Sequence, residues 1–89
     1  MNTDSILVVD DDEIVRLTLS RTLRQEGYVV RSAETGEEAL TALQEKGYAL
    51  VITDLKMPGM DGLELLKNIK QIAPDTLVFL LSGLGSIPQ

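Results

Sequence analysis

The side chains able to do chemistry in this chain are almost all carboxylates. Histidine and cysteine are both absent, which excludes imidazole bases, thiolate nucleophiles, disulfides and zinc held by either residue. Asp10 and Asp11 directly follow the apolar run Ile6-Leu-Val-Val9, and Asp54 directly follows the run at 49–53. Ser82 follows a further apolar run, 76–81, in the same way. Clustered carboxylates repel one another, so a site made of them needs a cation. Hard oxygen ligands suit Mg²⁺, which binds through one or two carboxylates, a carbonyl and waters and leaves room for phosphate oxygens. A carboxylate beside such a cation can attack phosphorus and form an aspartyl-phosphate, the metal neutralising the charge that develops. Each piece has a plainer reading: Asp10 to Glu13 as the acidic first turn of a helix, Asp54 as a loop residue, Ser82-Gly83 as a turn. Their joint placement, at the ends of three separate apolar runs, favours the chemical reading.

The elements that must position them alternate between strand-like and helix-like periods. Ile6-Leu-Val-Val9 is continuous and apolar, the pattern of a strand covered on both faces. Asp12 can cap a helix with Val15, Leu19 and Leu23 as its stripe and Gly27 as its stop. Tyr28-Val-Val30 reads as a short strand, placed at an edge by Arg31. Thr35 and Glu38 have capping-box spacing and open a helix through Ala39, Leu40 and Leu43 that Gly47 closes. Ala49-Leu-Val-Ile52 is the third strand, Met57-Pro-Gly-Met60 a turn-rich loop, and Asp61 with Glu64 opens a helix that turns Leu65, Leu66, Ile69 and Ile72 inward. Residues 76–81 are the fourth strand. The order β-α-β-α-β-α-β with short connections implies parallel strands, right-handed crossovers and helices on both faces. In such sheets the functional crevice lies outside the carboxyl ends of the strands. Asp10, Asp11 and Asp54 converge there if the first and third strands are neighbours.

Composition bounds the rest. The 89 residues suffice for one domain, 1–89, and the apolar and charged fractions of 44% and 25% are those of a soluble globule. A net charge of −6 repels phosphate backbones, so no direct nucleic-acid contact is expected of this segment. The start, Met-Asn-Thr-Asp-Ser, lacks a basic leader, and no stretch approaches the roughly 20 apolar residues of a membrane span. The expected location is the cytoplasm.

Ile6-Leu-Val-Val-Asp-Asp-Asp-Glu13 and Val51-Ile-Thr-Asp-Leu-Lys-Met-Pro-Gly-Met-Asp-Gly62 closely resemble the two hallmark segments of bacterial two-component response-regulator receiver domains, and Leu80-Leu-Ser-Gly83 resembles the third. The resemblance implies a flavodoxin-like doubly wound parallel sheet of order 2-1-3-4-5. It implies a module that takes a phosphoryl group from a histidine kinase and switches an effector domain of the parent chain, rather than an enzyme turning over small molecules. Carried over by residue, Asp54 is the phospho-acceptor. Asp11 is the direct Mg²⁺ ligand, Asp10 acts mostly through water, and the backbone carbonyl of Lys56 is a further ligand. Ser82 is the switch hydroxyl, and Gly83 leaves the phosphoryl entrance open. Residues 82–88 also resemble receivers attached to transcriptional activators of the enhancer-binding type.

The chain departs from the family pattern at its end. Receivers continue with a fourth helix, a fifth strand bearing a lysine that contacts the phosphoryl group, and a fifth helix. This sequence stops at Gln89, so the sheet is expected to be incomplete, with four strands, three helices and no catalytic lysine. Lys67 and Lys70 fall on the third helix and read as solvated. The fourth strand, with Leu77, Val78, Phe79, Leu80 and Leu81, would form an unprotected edge, and a homodimer through that edge is expected. Three other readings compete. A haloacid-dehalogenase-like phosphotransferase would need an aspartate where Lys56 stands. A nucleotide-binding domain would need glycines where residues 10–13 are acidic. A pseudo-receiver, an interaction module that keeps the fold without phosphorylation, is the alternative function.

Overall fold

The computed structural model describes residues 4–81. Its elements are β1 (Ser5–Val9), α1 (Glu13–Gln25), β2 (Val29–Ala33), α2 (Gly36–Glu45), β3 (Leu50–Asp54), α3 (Gly62–Ile72) and β4 (Leu77–Leu81). The strands form one parallel sheet of order β2-β1-β3-β4, the incomplete doubly wound arrangement expected from the sequence.

Local signals set most boundaries. The Asp12 carboxylate accepts from the amides of Ile14 and Val15 at 2.9 and 3.2 Å and starts α1. Gly27, at φ +98°, ends it, and the Tyr28 amide returns to the Leu23 carbonyl at 3.2 Å. At α2 the Thr35 hydroxyl accepts from the Glu38 amide at 3.0 Å, while the Glu38 carboxylate accepts from the Glu34 amide at 2.7 Å, a capping box reaching one residue further back than usual. Asp61 caps α3 through the Glu64 amide at 2.9 Å.

Several expectations need correction. The second strand runs over Val29–Ala33 rather than 28–30. Arg31 and Ser32 are both exposed, as an edge strand allows, while Val30 and Ala33 are buried on opposite faces of the sheet. Asp54 is the last residue of β3 and not the first of the loop. Ile72, the last residue of α3, is 46% exposed, and of the four positions expected inward only Leu65 and Ile69 are fully buried. Lys70 is exposed, and its ammonium also donates to the Thr76 carbonyl at 3.1 Å.

Two apolar layers arise from the two-residue period of the strands. Leu7, Val9 and Val51 face α2 and α3, where they pack with Ala39, Ala42, Leu43, Leu65 and Ile69. Ile6, Val8, Val30 and Ile52 face the other way, against Leu19 and Leu23 of α1. β1 is sealed on both sides, as its continuous apolar run requires, each fully buried side chain contributing about 1.5–3 kcal/mol. The α1 layer is the thinner one. In register, Phe79 lies beside Ile52, yet Leu77 and Phe79 are 68% and 57% exposed. Among the described residues β4 pairs only with β3, so its outer edge and this face are uncovered.

Ser20 sits in α1, buried against this layer, and its hydroxyl has no hydrogen-bond partner among the described residues. An unpaired buried hydroxyl costs free energy, and alanine is the better helix former. Ser20→Ala is expected to stabilise the protein by about 1 kcal/mol, read as a higher urea midpoint with an unchanged m-value. A lower midpoint would show that the hydroxyl is paired in solution.

Candidate functional site

Asp10 and Asp54 come directly after positions paired in the parallel ladder. Val9 lies beside Thr53 where β1 and β3 run together, so both chain segments deliver a carboxylate to the same end of the sheet. Ligand-capable oxygens of Asp10, Asp11 and Asp54 all lie within 4.8 Å of one another. Asp10 is buried, Asp54 half-buried and Asp11 exposed, so the cluster opens to solvent on the Asp11 side.

Every polar group of Asp10 is held. Its amide donates to the Ala33 carbonyl at 3.1 Å, its carboxylate accepts from the Asp12 amide at 2.8 Å, and its carbonyl accepts from the Arg16 guanidinium at 2.9 Å. Arg16 also approaches Glu34 at 3.7 Å, and its side chain is only 11% exposed. Neither Arg16 nor Glu34 was singled out from the sequence. The only signal there was an arginine on the strand-facing side of a helix that begins at the acidic cluster.

Asp54 is fixed by the residues after it. The Leu55 amide donates to the Leu81 carbonyl and the Gly62 amide to the Leu55 carbonyl, both at 2.9 Å, which pins the start of the loop between β4 and α3. Gly62 has to be glycine, because a Cβ there would lie 2.4 Å from the Asp54 carbonyl oxygen and 2.9 Å from the Leu55 Cα. Both obstacles are backbone and cannot swing aside. Within the loop, Gly59 takes φ +74° and Met57 is buried in the core. Met60 packs over Gly36, where a Cβ would lie 2.7 Å from its sulfur. Lys56 is exposed, and its amide reaches back towards the Asp54 carboxylate at a long 3.5 Å. Ser82 and Gly83 lie outside the described residues.

The donor set fits a hard divalent cation. It is all oxygen, and metal–oxygen bonds of about 2.1 Å place ligand oxygens roughly 3–4 Å apart around an octahedron, so a small closure of the cluster suffices. Electrostatics point the same way. Burial pushes the Asp10 carboxyl above its ordinary value of 3.8, opposed by the Asp12 amide and reinforced by the charges of Asp54, Asp11 and Asp12. Ionising a carboxyl raised in this way costs the folded state stability, a cost that a bound cation would offset.

The sign of that effect is testable. Because the native state holds the Asp10 proton more tightly than the unfolded chain, Asp10 contributes stability at low pH that is lost as pH rises from 3.8 through its raised native value. Without divalent cations, the stability difference between Asp10→Asn and the wild type should therefore grow across that window in favour of the variant. Thermal melts of both proteins against pH give the difference. Added Mg²⁺ should raise the melting temperature of the wild type and not that of the variant.

The sequence profile described as the response regulator receiver domain matches residues 6–89. Among curated proteins, the chain is 39% identical over 84 residues to the C4-dicarboxylate transport transcriptional regulatory protein DctD of Rhizobium meliloti, covering 94% of this chain and 18% of that protein. It is 36% identical over 87 residues to sporulation initiation phosphotransferase F of Bacillus subtilis, covering 98% of this chain and 70% of that one. The chain thus spans about a fifth of the transcriptional regulator DctD. Among solved structures, the response regulator TrrA of Thermotoga maritima in complex with Mg(2+)-BeF superposes with a TM-score of 0.85 at 42% identity, over 90% of this chain and 70% of that one. The crystal structure of histidine kinase ThkA in complex with TrrA is also similar, with a TM-score of 0.84 at 42% identity, over 91% of this chain and 70% of that one. With its sheet order, its acidic cluster and these matches in agreement, the chain belongs to the response-regulator receiver-domain family.

Proposed function

We propose that this domain accepts a phosphoryl group on Asp54 from a phosphohistidine of a histidine kinase, in the cytoplasm, and that the modification switches an effector elsewhere in the parent chain. The observation that carries the reading is the convergence of Asp10, Asp11 and Asp54 at the carboxyl ends of adjacent parallel strands. Relatives support it: TrrA was solved with Mg(2+)-BeF and again in complex with a histidine kinase, and several relatives are transcriptional regulators.

In this reading a carboxylate oxygen of Asp54 attacks phosphorus, a P–O bond forms, and the P–N bond to the donor imidazole breaks. The imidazole nitrogen leaves with the electron pair of that bond. Asp11, Asp10 and Asp54, with the Lys56 carbonyl, would hold Mg²⁺, which supplies positive charge opposite the phosphoryl oxygens. Asp10 is fixed at its amide, carbonyl and carboxylate, so it changes shape little as charge arrives. Asp54 stands half-buried at a rigid strand end and is aimed by the Gly62 contact behind it. The Ser82 hydroxyl then turns to the phosphoryl group beside Gly83, biasing a pre-existing two-state equilibrium. Ile14 and Leu17, 76% and 50% exposed on the helix that begins at the site, offer the kinase an apolar footing next to the acceptor.

Asp54→Asn should abolish acid-labile phosphate incorporation from the phosphorylated kinase while leaving the melting temperature unchanged or higher. Labelling retained on another aspartate would overturn the assignment.

The outer edge of β4, with the exposed Leu77 and Phe79, fits a second copy of the chain. A polypeptide of these 89 residues alone is expected to elute as a dimer by light scattering on gel filtration. A compact monomer would refute edge pairing.

A further inference from the structure

We infer that Arg16 is a positioning residue for the metal site. The inference rests on the reading of Asp10, Asp11 and Asp54 as Mg²⁺ ligands.

Its side chain is almost withdrawn from water, at 11% exposure, although the helix around it is largely exposed. A guanidinium so placed needs partners, and its best one is neither a carboxylate nor solvent. It is the backbone carbonyl of Asp10, accepting at 2.9 Å. Glu34 is the weaker partner at 3.7 Å and is itself 64% exposed. The strong bond therefore clamps the peptide between two of the three clustered aspartates. That peptide sets where the Asp11 side chain leaves the backbone, and the Asp12 amide fixes the Asp10 carboxylate from the other side at 2.8 Å. Through Glu34 the clamp also reaches the turn after β2, whose Ala33 carbonyl holds the Asp10 amide at 3.1 Å. Arg16 thus joins the first turn of α1, the end of β1 and the end of β2 at one point.

Charge and geometry make opposite demands here, which allows them to be separated. A cation beside a divalent-metal site weakens metal binding by repulsion, an effect that Glu34 partly offsets. If Arg16 acted only through charge, removing it would tighten binding. If it acts by holding the Asp10–Asp11 peptide, removing it loosens binding. Partners that orient metal ligands typically contribute ten- to a hundredfold in affinity.

The same helix supplies a matched control. Arg24, about two turns further along, donates to the Val30 carbonyl at 3.0 Å, the same kind of bond made far from the acidic cluster. Mn²⁺, which shares the oxygen preference of Mg²⁺, is the probe. Free Mn²⁺ is read from its paramagnetic resonance signal, and Mg²⁺ affinity by competition.

Arg16→Met is expected to weaken both ions by about tenfold. Arg24→Met should lower the melting temperature by a comparable amount and leave both affinities unchanged. Arg16→Lys, which keeps the charge and a single donor, should recover part of the lost affinity. Tighter or unchanged binding by Arg16→Met, or an equal loss in Arg24→Met, would overturn the positioning role while the metal site stands. A wild type that binds neither ion, or an Asp11→Asn variant that binds like the wild type, would overturn the metal reading itself and this inference with it.

Discussion

Oxygen atoms of Asp10, Asp11 and Asp54 come within 4.8 Å of one another, and unit charges at such a separation repel by about 1 kcal/mol in water and several times that at lower effective dielectric. The folded chain has to hold that arrangement against the repulsion. The rest of the molecule can be understood as the scaffold that imposes it. β1 is buried on both faces and cannot shift its register without exposing Leu7 or Val8. β3 is locked beside it, and Gly62 brings α3 against the backbone of Asp54. Apolar burial is what holds the carboxylates together against their own repulsion.

Stability and function are therefore opposed at one end of the sheet. Asp10 is buried, and that burial raises its carboxyl above its ordinary value, which is a cost to the folded state at neutral pH. The cost falls on the residue whose backbone and side chain are most fully tied, by Ala33, Asp12 and Arg16. Rigid placement of a destabilised group is how a site keeps affinity for an ion or a charged group in reserve. Asp54 and Asp11 stay more accessible than Asp10.

Away from this end, the molecule changes character. The α2–α3 side carries the larger core, and its helices cover the sheet well. The α1 side is thin, and at β4 it is open, with Leu77 and Phe79 in solvent among the described residues. Ile14 and Leu17 are likewise exposed on α1, the helix that follows the acidic pair in sequence.

Much of this was legible in the sequence because it depends on neighbours along the chain. Asp12, Thr35 and Asp61 cap helices through bonds spanning two or three residues. The apolar run of β1 announces a strand buried on both faces whatever it pairs with. The strand-end positions of Asp10, Asp11 and Asp54 came from the same periods. What only the tertiary structure decided depends on how separate elements close against one another. The pairing of Val9 with Thr53 is what turns two strand-end aspartates into one site. The bond from Arg16 to the Asp10 carbonyl requires α1 to fold back over the strand that precedes it. The need for glycine at position 62 arises only in the folded chain, where the Asp54 backbone presses against it. Ile72 has the spacing of a core residue, yet at the last position of α3 it is 46% exposed. Local hydrogen bonding and side-chain period are written in the order of residues, whereas contact across the sheet exists only once the crossovers have closed.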